Sequence, residues 1–256
     1  MKFIILGCGS SMGVPRIDGF FGKCNSKNPK NFRSRCSALI KTKNETVLID
    51  TSPDLRQQLI NNKIRNIDKV FYSHMHADQT HGINDLRVFY LKKEKTIPVF
   101  ADKQTKKYLL NSFKYCFVKN NNEYPAILKL NNISNKLFIN DGLKKIKITP
   151  IEVKHGSVTC ICYILANKLA YISDVSSINP KKYIHFKNLK YLIIDCLRLK
   201  YHPTHLNLEN SLKLIKIFKP KKTILTNLHS DLDYDYLKKI LPKNIIPAYD
   251  GLTLDL

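Results

Sequence analysis

Short apolar runs with strand character recur along the whole chain. They cover Lys2–Leu6, Ser37–Lys41, Thr46–Asp50, Lys69–Tyr72, Ile97–Ala101, Ala126–Leu130, Lys144–Val153, Val158–Leu165, Leu169–Ser173, Tyr191–Asp195, Thr223–Thr226 and Leu252–Leu254. Their length and β-branched content predict strands. Helical spacing predicts helices over Pro53–Asn62, Asp85–Lys95, Lys103–Phe117, Leu208–Phe218 and Tyr234–Leu241. In the first of these, Pro53 sits in the opening turn and Leu55, Leu59 and Ile60 share one side. Strands and helices mixed in this way give an α/β (α+β) protein whose sheets are covered by helices. No fixed-period repeat and no linker divides the chain, so residues 1–256 are expected to form a single domain. The polar stretch Lys119–Tyr124 is expected to be a surface loop.

Composition narrows the class. The chain has 256 residues, 43% of them hydrophobic and 25% charged, as in ordinary globular proteins. Its apolar runs fall far short of the roughly 18 residues a membrane helix requires, so no membrane partner is expected. The opening Met1–Cys8 mimics a lipoprotein signal, but its apolar stretch is shorter than the roughly 7–15 residues such a signal uses. It is expected to be the first core strand. The seven cysteines are odd in number and contain no C-x-x-C pair, which fits core packing in a reducing, cytoplasmic setting.

The charge is the unusual quantity. Lys and Arg total 43 against 20 acids, a net +23. That balance favours an anionic partner, nucleic acid included. Only Arg16, Arg33, Arg35, Arg56, Arg65, Arg87 and Arg198 are arginines, however, and Arg is the usual reader of phosphate and base edges. The lysines are spread evenly, and the Lys, Asn and Ile enrichment also fits AT-rich coding. Charge alone does not name a partner.

Chemistry concentrates after Lys69–Tyr72, in Ser73-His-Met-His-Ala-Asp-Gln-Thr-His-Gly82. Three of the chain's eight histidines fall within eight residues there. On an extended segment His74 and His76 face the same side and one metal. Asp78 and His81 come together on a helical turn. Further on, His155, Asp174 and His229 each follow an apolar strand and are metal-capable.

The order H-x-H-x-D, then His, Asp and His, resembles the metallo-β-lactamase fold hydrolases. Leu6-Gly-Cys-Gly-Ser-Ser-Met-Gly-Val-Pro15, Asn28-Pro-Lys-Asn31, Leu48-Ile-Asp-Thr-Ser-Pro-Asp-Leu-Arg56 and Gly82-Ile-Asn-Asp-Leu-Arg87 resemble the branch of PhnP-type phosphodiesterases and ribonuclease Z. The resemblance implies an αββα sandwich with the site at one edge between the sheets. It implies two divalent ions, Zn or Mn. One would be held by His74, His76, His155 and bridging Asp174; the other by Asp78, Asp174, His229 and one more histidine. The family usually has His directly after the Asp, where this chain has Gln79, so the second site is weaker on paper and His81 is the expected replacement ligand.

The segment Asp195-Cys-Leu-Arg198 followed by His202-Pro-Thr-His205 is similar to the branch's leaving-group histidine. The resemblance implies His205 as the catalytic proton donor, with His202 as fallback and Asp195 orienting the ring. Asp50 is expected to support the ligands rather than join them, and His185 to lie on the surface. Relatives with a structural zinc use clustered N-terminal cysteines; Cys24 and Cys36, twelve apart, do not form such a cluster. Arg33 and Arg35 are candidates for contacting a substrate phosphate.

The expected activity is metal-dependent hydrolysis of a small cyclic or nucleotide-like phosphodiester. Ribonuclease Z-like cleavage of RNA and thioester or lactone hydrolysis are the alternatives. No inserted Gly-rich arm is visible in the sequence, and a homodimer is compatible with the family.

Overall fold

Two seven-stranded sheets, each carrying helices on its outer face, make up the protein. The computed structural model describes residues 1–119, 124–134 and 137–256. The first sheet contains β1 (Lys2–Gly7), β2 (Ser37–Lys41), β3 (Thr46–Ile49), β4 (Lys69–Phe71), β5 (Ile97–Ala101) and β6 (Leu128–Asn132). The second contains β7 (Leu137–Asp141), β8 (Lys144–His155), β9 (Val158–Leu165), β10 (Leu169–Ile172), β11 (Tyr191–Asp195), β12 (Lys222–Thr226) and β13 (Ile245–Pro247). The last strand, β14 (Leu252–Asp255), returns to the first sheet beside β1. The orders are β14-β1-β2-β3-β4-β5-β6 and β13-β12-β11-β10-β9-β8-β7. In both sheets the pairing turns from antiparallel to parallel partway across, at β3–β4 and at β10–β11.

Residue alternation explains the layering. Phe3 and Ile5 of β1, Val47 of β3, Tyr163 of β9, Ile193 of β11 and Ile224 of β12 fill the space between the sheets. Their neighbours point outward. Ile4, Leu6, Leu48 and Val70 meet helices α1 (Leu55–Asn61), α3 (Arg87–Lys93) and α4 (Lys103–Ser112). On the other side, Leu192, Ile194 and Leu225 meet α6 (Leu208–Phe218) and α7 (Tyr234–Ile240). Each inner strand therefore buries both faces, as a doubly covered sheet requires. The expected αββα sandwich is the observed architecture.

Helix ends follow local chemistry. Asp102 accepts the N–H groups of Gln104 and Thr105 to start α4, Asn207 accepts from Asn210 to start α6, and Asp233 accepts from Tyr236 to start α7. The helix expected over Lys103–Phe117 breaks at Phe113, whose φ of −131° leaves α5 (Lys114–Phe117) as a separate turn. The helix expected over Asp85–Lys95 begins as a 3₁₀ turn, Ile83–Leu86, before α3. β7 and β13 were absent from the sequence reading. For β7 a signal existed: Leu137 and Ile139 are buried on either side of exposed Phe138, and Asp141-Gly142 turns the chain into β8. Most of the expected loop Lys119–Tyr124 lies outside the described residues. Among the described residues, no helix is long and apolar enough to cross a membrane. All seven cysteines are free and buried.

Candidate metal and hydrolytic site

Strand register builds the site. β10, β11 and β12 run parallel, with Ile172 opposite Ile194 and Asp195 opposite Thr226. The residues at or just after their C-terminal ends are Asp174, Asp195 and Asn227, which therefore gather at one edge. In the first sheet β3 and β4 also run parallel, placing Asp50 beside Ser73. Asp50 adopts φ 64° and its Oδ1 accepts the Ser73 N–H at 2.7 Å, fixing the backbone that leads into His74. Asp50 thus supports the backbone before His74, and among the described residues it joins no group of close ligand atoms. Two bonds tie the sheets at this edge: the Ile161 N–H donates to the Ser73 carbonyl at 2.8 Å, and the Tyr163 hydroxyl donates to the Tyr72 carbonyl at 2.7 Å. They bring the segment after β4 against the second sheet.

Between the sheets three imidazoles converge. His74 Nε2 lies 3.0 Å from His76 Nδ1, and His155 Nε2 lies 3.2 Å from the same atom. His74 and His155 are buried and His76 is partly exposed. The opposite ring nitrogens are held: His74 Nδ1 faces the Ser73 hydroxyl at 3.0 Å, and His155 Nδ1 donates to the Thr204 carbonyl at 2.7 Å. His155 therefore presents an unprotonated Nε2. Burial pushes His74 down to about 3, and it lowers His76 and His155 as well, so all three are neutral near pH 7. His76 Nδ1 has at most one proton to share between two facing nitrogens. One lone pair is always left without a donor, in a buried place where that is costly. A divalent cation would satisfy all three, and a cluster of imidazoles is a donor set that such metals accept.

Asp174 lies on the other side of His155, which forms a second group of close ligand atoms with Asp174 and His205. Burial works against ionisation of Asp174, but His74, His155 and His205 hold its carboxyl below the usual value. Asn227 Nδ2 lies 3.2 Å from both Asp174 Oδ1 and Asp195 Oδ1. The sequence reading did not single out Asn227. The sequence signal it carried was its place directly after the apolar strand Thr223–Thr226; the fold holds it at a left-handed φ of 61°.

His205 meets Asp195 through Nδ1 at 2.8 Å. Burial opposes its charged form, but the hydrogen bond and charge of Asp195, helped by Asp174 and Asp78, raise it to about 9. Its ring lies 4.5 Å, centroid to centroid, from that of His155. His202, the fallback, bonds within its own loop to Thr204 and sits 5.2 Å from the His205 ring.

Asp78 is drawn towards the site, and burial together with Asp174 pushes its carboxyl up to about 6. Gln79 follows it, fully buried, with Nε2 3.3 Å from both Asp78 Oδ2 and Asp174 Oδ2. The expected replacement ligand His81 is placed differently: it is exposed, bonds to the Tyr108 hydroxyl at 2.9 Å and packs edge-on against Phe113. The α2 turn (Ala77–Thr80) ends at His81 and carries its ring outward to α4. His229 Nδ1 pairs with Asp231 at 3.1 Å. Among the described residues, Asp78, His81 and His229 join neither group of close ligand atoms. The two arginines offered for phosphate are occupied. Arg33 is buried against Asn31 and the Lys30 and His229 carbonyls. Arg35 forms a two-pronged bond to Asp54 at 2.8 and 2.5 Å. His185 is exposed.

The chain matches the family described as Beta-lactamase superfamily domain over residues 45–227. A crystal structure titled as a new diphosphatase from the PhnP family superposes on it with a TM-score of 0.89 and 32% identity, covering 100% of this chain and 97% of that one. The short form of human tRNase Z shares the fold at a TM-score of 0.68 and 14% identity, over 100% of this chain and 99% of that one. A curated octanoyltransferase of Porphyromonas gingivalis is 30% identical over 98% of this chain, and this chain spans only 51% of that protein. With the H-x-H-x-D segment, the two-sheet sandwich and the edge site in hand, the chain belongs to the metallo-β-lactamase fold hydrolases, alongside the PhnP family.

Proposed function

We propose that the protein hydrolyses a small phosphoester of the diester or diphosphate type with a divalent metal ion. The observation that carries this reading is the convergence of His74 Nε2, His76 Nδ1 and His155 Nε2 at 3.0–3.2 Å, next to a histidine whose proton is held by a carboxylate. His74, His76 and His155 with Asp174 are the residues that would hold the ion. When bound, such an ion polarises a phosphoryl oxygen and acidifies a water at neutral pH.

The chain's own groups supply the rest. Asp195 accepts a hydrogen bond from the inner N–H of His205 and fixes the ring, leaving Nε2 to give its proton to the departing oxygen. Asn227 holds Asp174 and Asp195 apart as a neutral donor between two carboxylates. The Thr204 carbonyl orients His155, so one loop, 202–205, sets both a ligand and the proton donor. The net +23 favours an anionic substrate over a neutral one.

Likeness to the PhnP-family diphosphatase at 32% identity supports a small substrate, whereas likeness to tRNase Z at 14% speaks to the fold alone. The octanoyltransferase relative keeps acyl thioester hydrolysis as the second reading. The test is turnover of bis(p-nitrophenyl) phosphate, a cyclic nucleotide, a nucleoside diphosphate conjugate, a precursor tRNA and an octanoyl thioester by metal-loaded protein. Turnover of a small phosphoester that is lost on chelation and restored by Zn²⁺ or Mn²⁺ is expected. Thioester cleavage without phosphoester cleavage overturns the reading.

A further inference from the structure

Two carboxylates, Asp78 and Asp174, face each other beside the imidazole cluster, and what lies between them is an amide. Gln79 is fully buried and pinned by its backbone carbonyl, which accepts the Thr51 N–H at 2.8 Å. Its Nε2 reaches Asp78 Oδ2 and Asp174 Oδ2 at 3.3 Å each, so both amide hydrogens find an oxygen. The reversed amide would set its oxygen against both carboxylates, and repulsion excludes that arrangement. In the bridging orientation Gln79 Oε1 is buried and has no partner. The bridge to two charged acceptors thus outweighs one orphaned carbonyl.

An ion shared by these carboxylates would lie about 2.0–2.2 Å from an oxygen of each. The Gln79 nitrogen occupies that wedge. The other oxygen of Asp174 is held by Asn227 Nδ2 at 3.2 Å, so amides grip both sides of this carboxylate. Of the rings that a second ion would recruit, His81 is turned outward to Tyr108 through its Nε2, and His229, oriented by Asp231 at Nδ1, lacks the companion histidine that position 79 would supply.

We propose that this is a one-ion site. The ion sits among His74, His76, His155 and Asp174, and the Gln79 amide stands in for a second ion by bridging Asp78 to Asp174. The inference rests on the metal-dependent reading above. Asp78 is then a hydrogen-bonded carboxylate beside the ion and not its ligand. The neutral amide supplies two N–H donors where a second ion would supply charge, so the four-residue set alone fixes the affinity.

The test is metal counting, independent of turnover. Full-length protein is stripped with chelator, reloaded with excess Zn²⁺, gel-filtered and analysed for zinc per chain, with circular dichroism to check folding. Wild type is expected to hold one ion, Gln79→His two, and Asp78→Asn one. Two ions in wild type overturn the proposal, as does loss of the single ion in Asp78→Asn. A folded Gln79→His chain that stays at one ion removes Gln79 from its role. A wild type with no ion overturns both this proposal and the metal-dependent reading. One ion with no phosphoester turnover leaves the one-ion site standing and removes only the proposed substrate.

Discussion

His205 Nδ1 sits 2.8 Å from Asp195 Oδ2, so the inner ring proton is committed to a buried carboxylate and Nε2 is the nitrogen left for substrate. Removing the ring in His205→Ala is expected to lower kcat by about 10²–10⁴-fold. Zinc content is expected to stay at the wild-type value, because the proposed ligands are His74, His76, His155 and Asp174 and not His205. Parallel steady-state kinetics and metal analysis check both halves of the statement.

The same pair sets a pH limit. His205 must be protonated to give a proton away, so activity falls as pH rises through its value, which the carboxylates hold up to about 9. A bound cation nearby moves that limb below 9, since like charge disfavours the charged ring. Asp195→Asn removes the main raising influence and shifts the alkaline limb of kcat/KM further down. An unchanged limb in that variant would show that His205 is not the titrating acid.

Arg35 is expected to be dispensable for substrate. One edge of its guanidinium, Nε and Nη2, is engaged by Asp54, so Arg35→Ala should leave KM for a phosphodiester within about twofold. The pair is partly exposed, and its loss lowers stability by about 1 kcal/mol or less. A large KM increase without a change in melting temperature would return Arg35 to the binding site.

Asp50 works through the backbone. Asp50→Ala strands the Ser73 N–H beside His74 and is expected to weaken zinc binding by about 10–100-fold, the usual effect of losing a support behind a ligand. Asp50→Asn keeps an acceptor oxygen and should bind zinc nearly as wild type does. Competition against a chromophoric chelator separates the two variants.

Gly82 closes the H-x-H-x-D segment at a point where there is no room for a side chain. A Cβ there would collide with the Ser52 carbonyl oxygen and crowd Leu55 Cβ. Gly82→Ala is expected to cost about 1–3 kcal/mol as an overpacking change. Thermal unfolding monitored by circular dichroism measures it.

Much of this arrangement is written in short-range pattern. Alternation marked the strands that carry His74, His155, Asp174 and Asp195, because ligands at strand ends follow runs that must be apolar on both faces. The β4 and β8 ends are legible for that reason, and so is α6, whose Asn207 cap and buried Leu208, Ser211, Ile215 and Phe218 share one face. Side-chain direction is a different matter. Whether His81 turns inward or outward depends on how the α2 turn meets Tyr108 and Phe113, which are 27 and 32 positions along the chain. Arg33 and Arg35 looked free because the His229 carbonyl and Asp54 become their partners only once the chain has folded. Asn227 escaped notice because an amide between carboxylates has meaning only after three parallel strands have aligned their ends.

His74 and His76 hang from one sheet, His155 and Asp174 from the other, and two hydrogen bonds from β9 to the Tyr72–Ser73 segment close the edge between them. An ion held by the proposed four residues would be a clasp across the seam of the sandwich, its binding energy also holding the halves together. Loosening the seam, for instance by Tyr163→Phe, should then leak metal, and stripping the metal should let amide protons near Ser73 and Ile161 exchange sooner. Loss of the ion and fraying of the edge become one event seen from two sides.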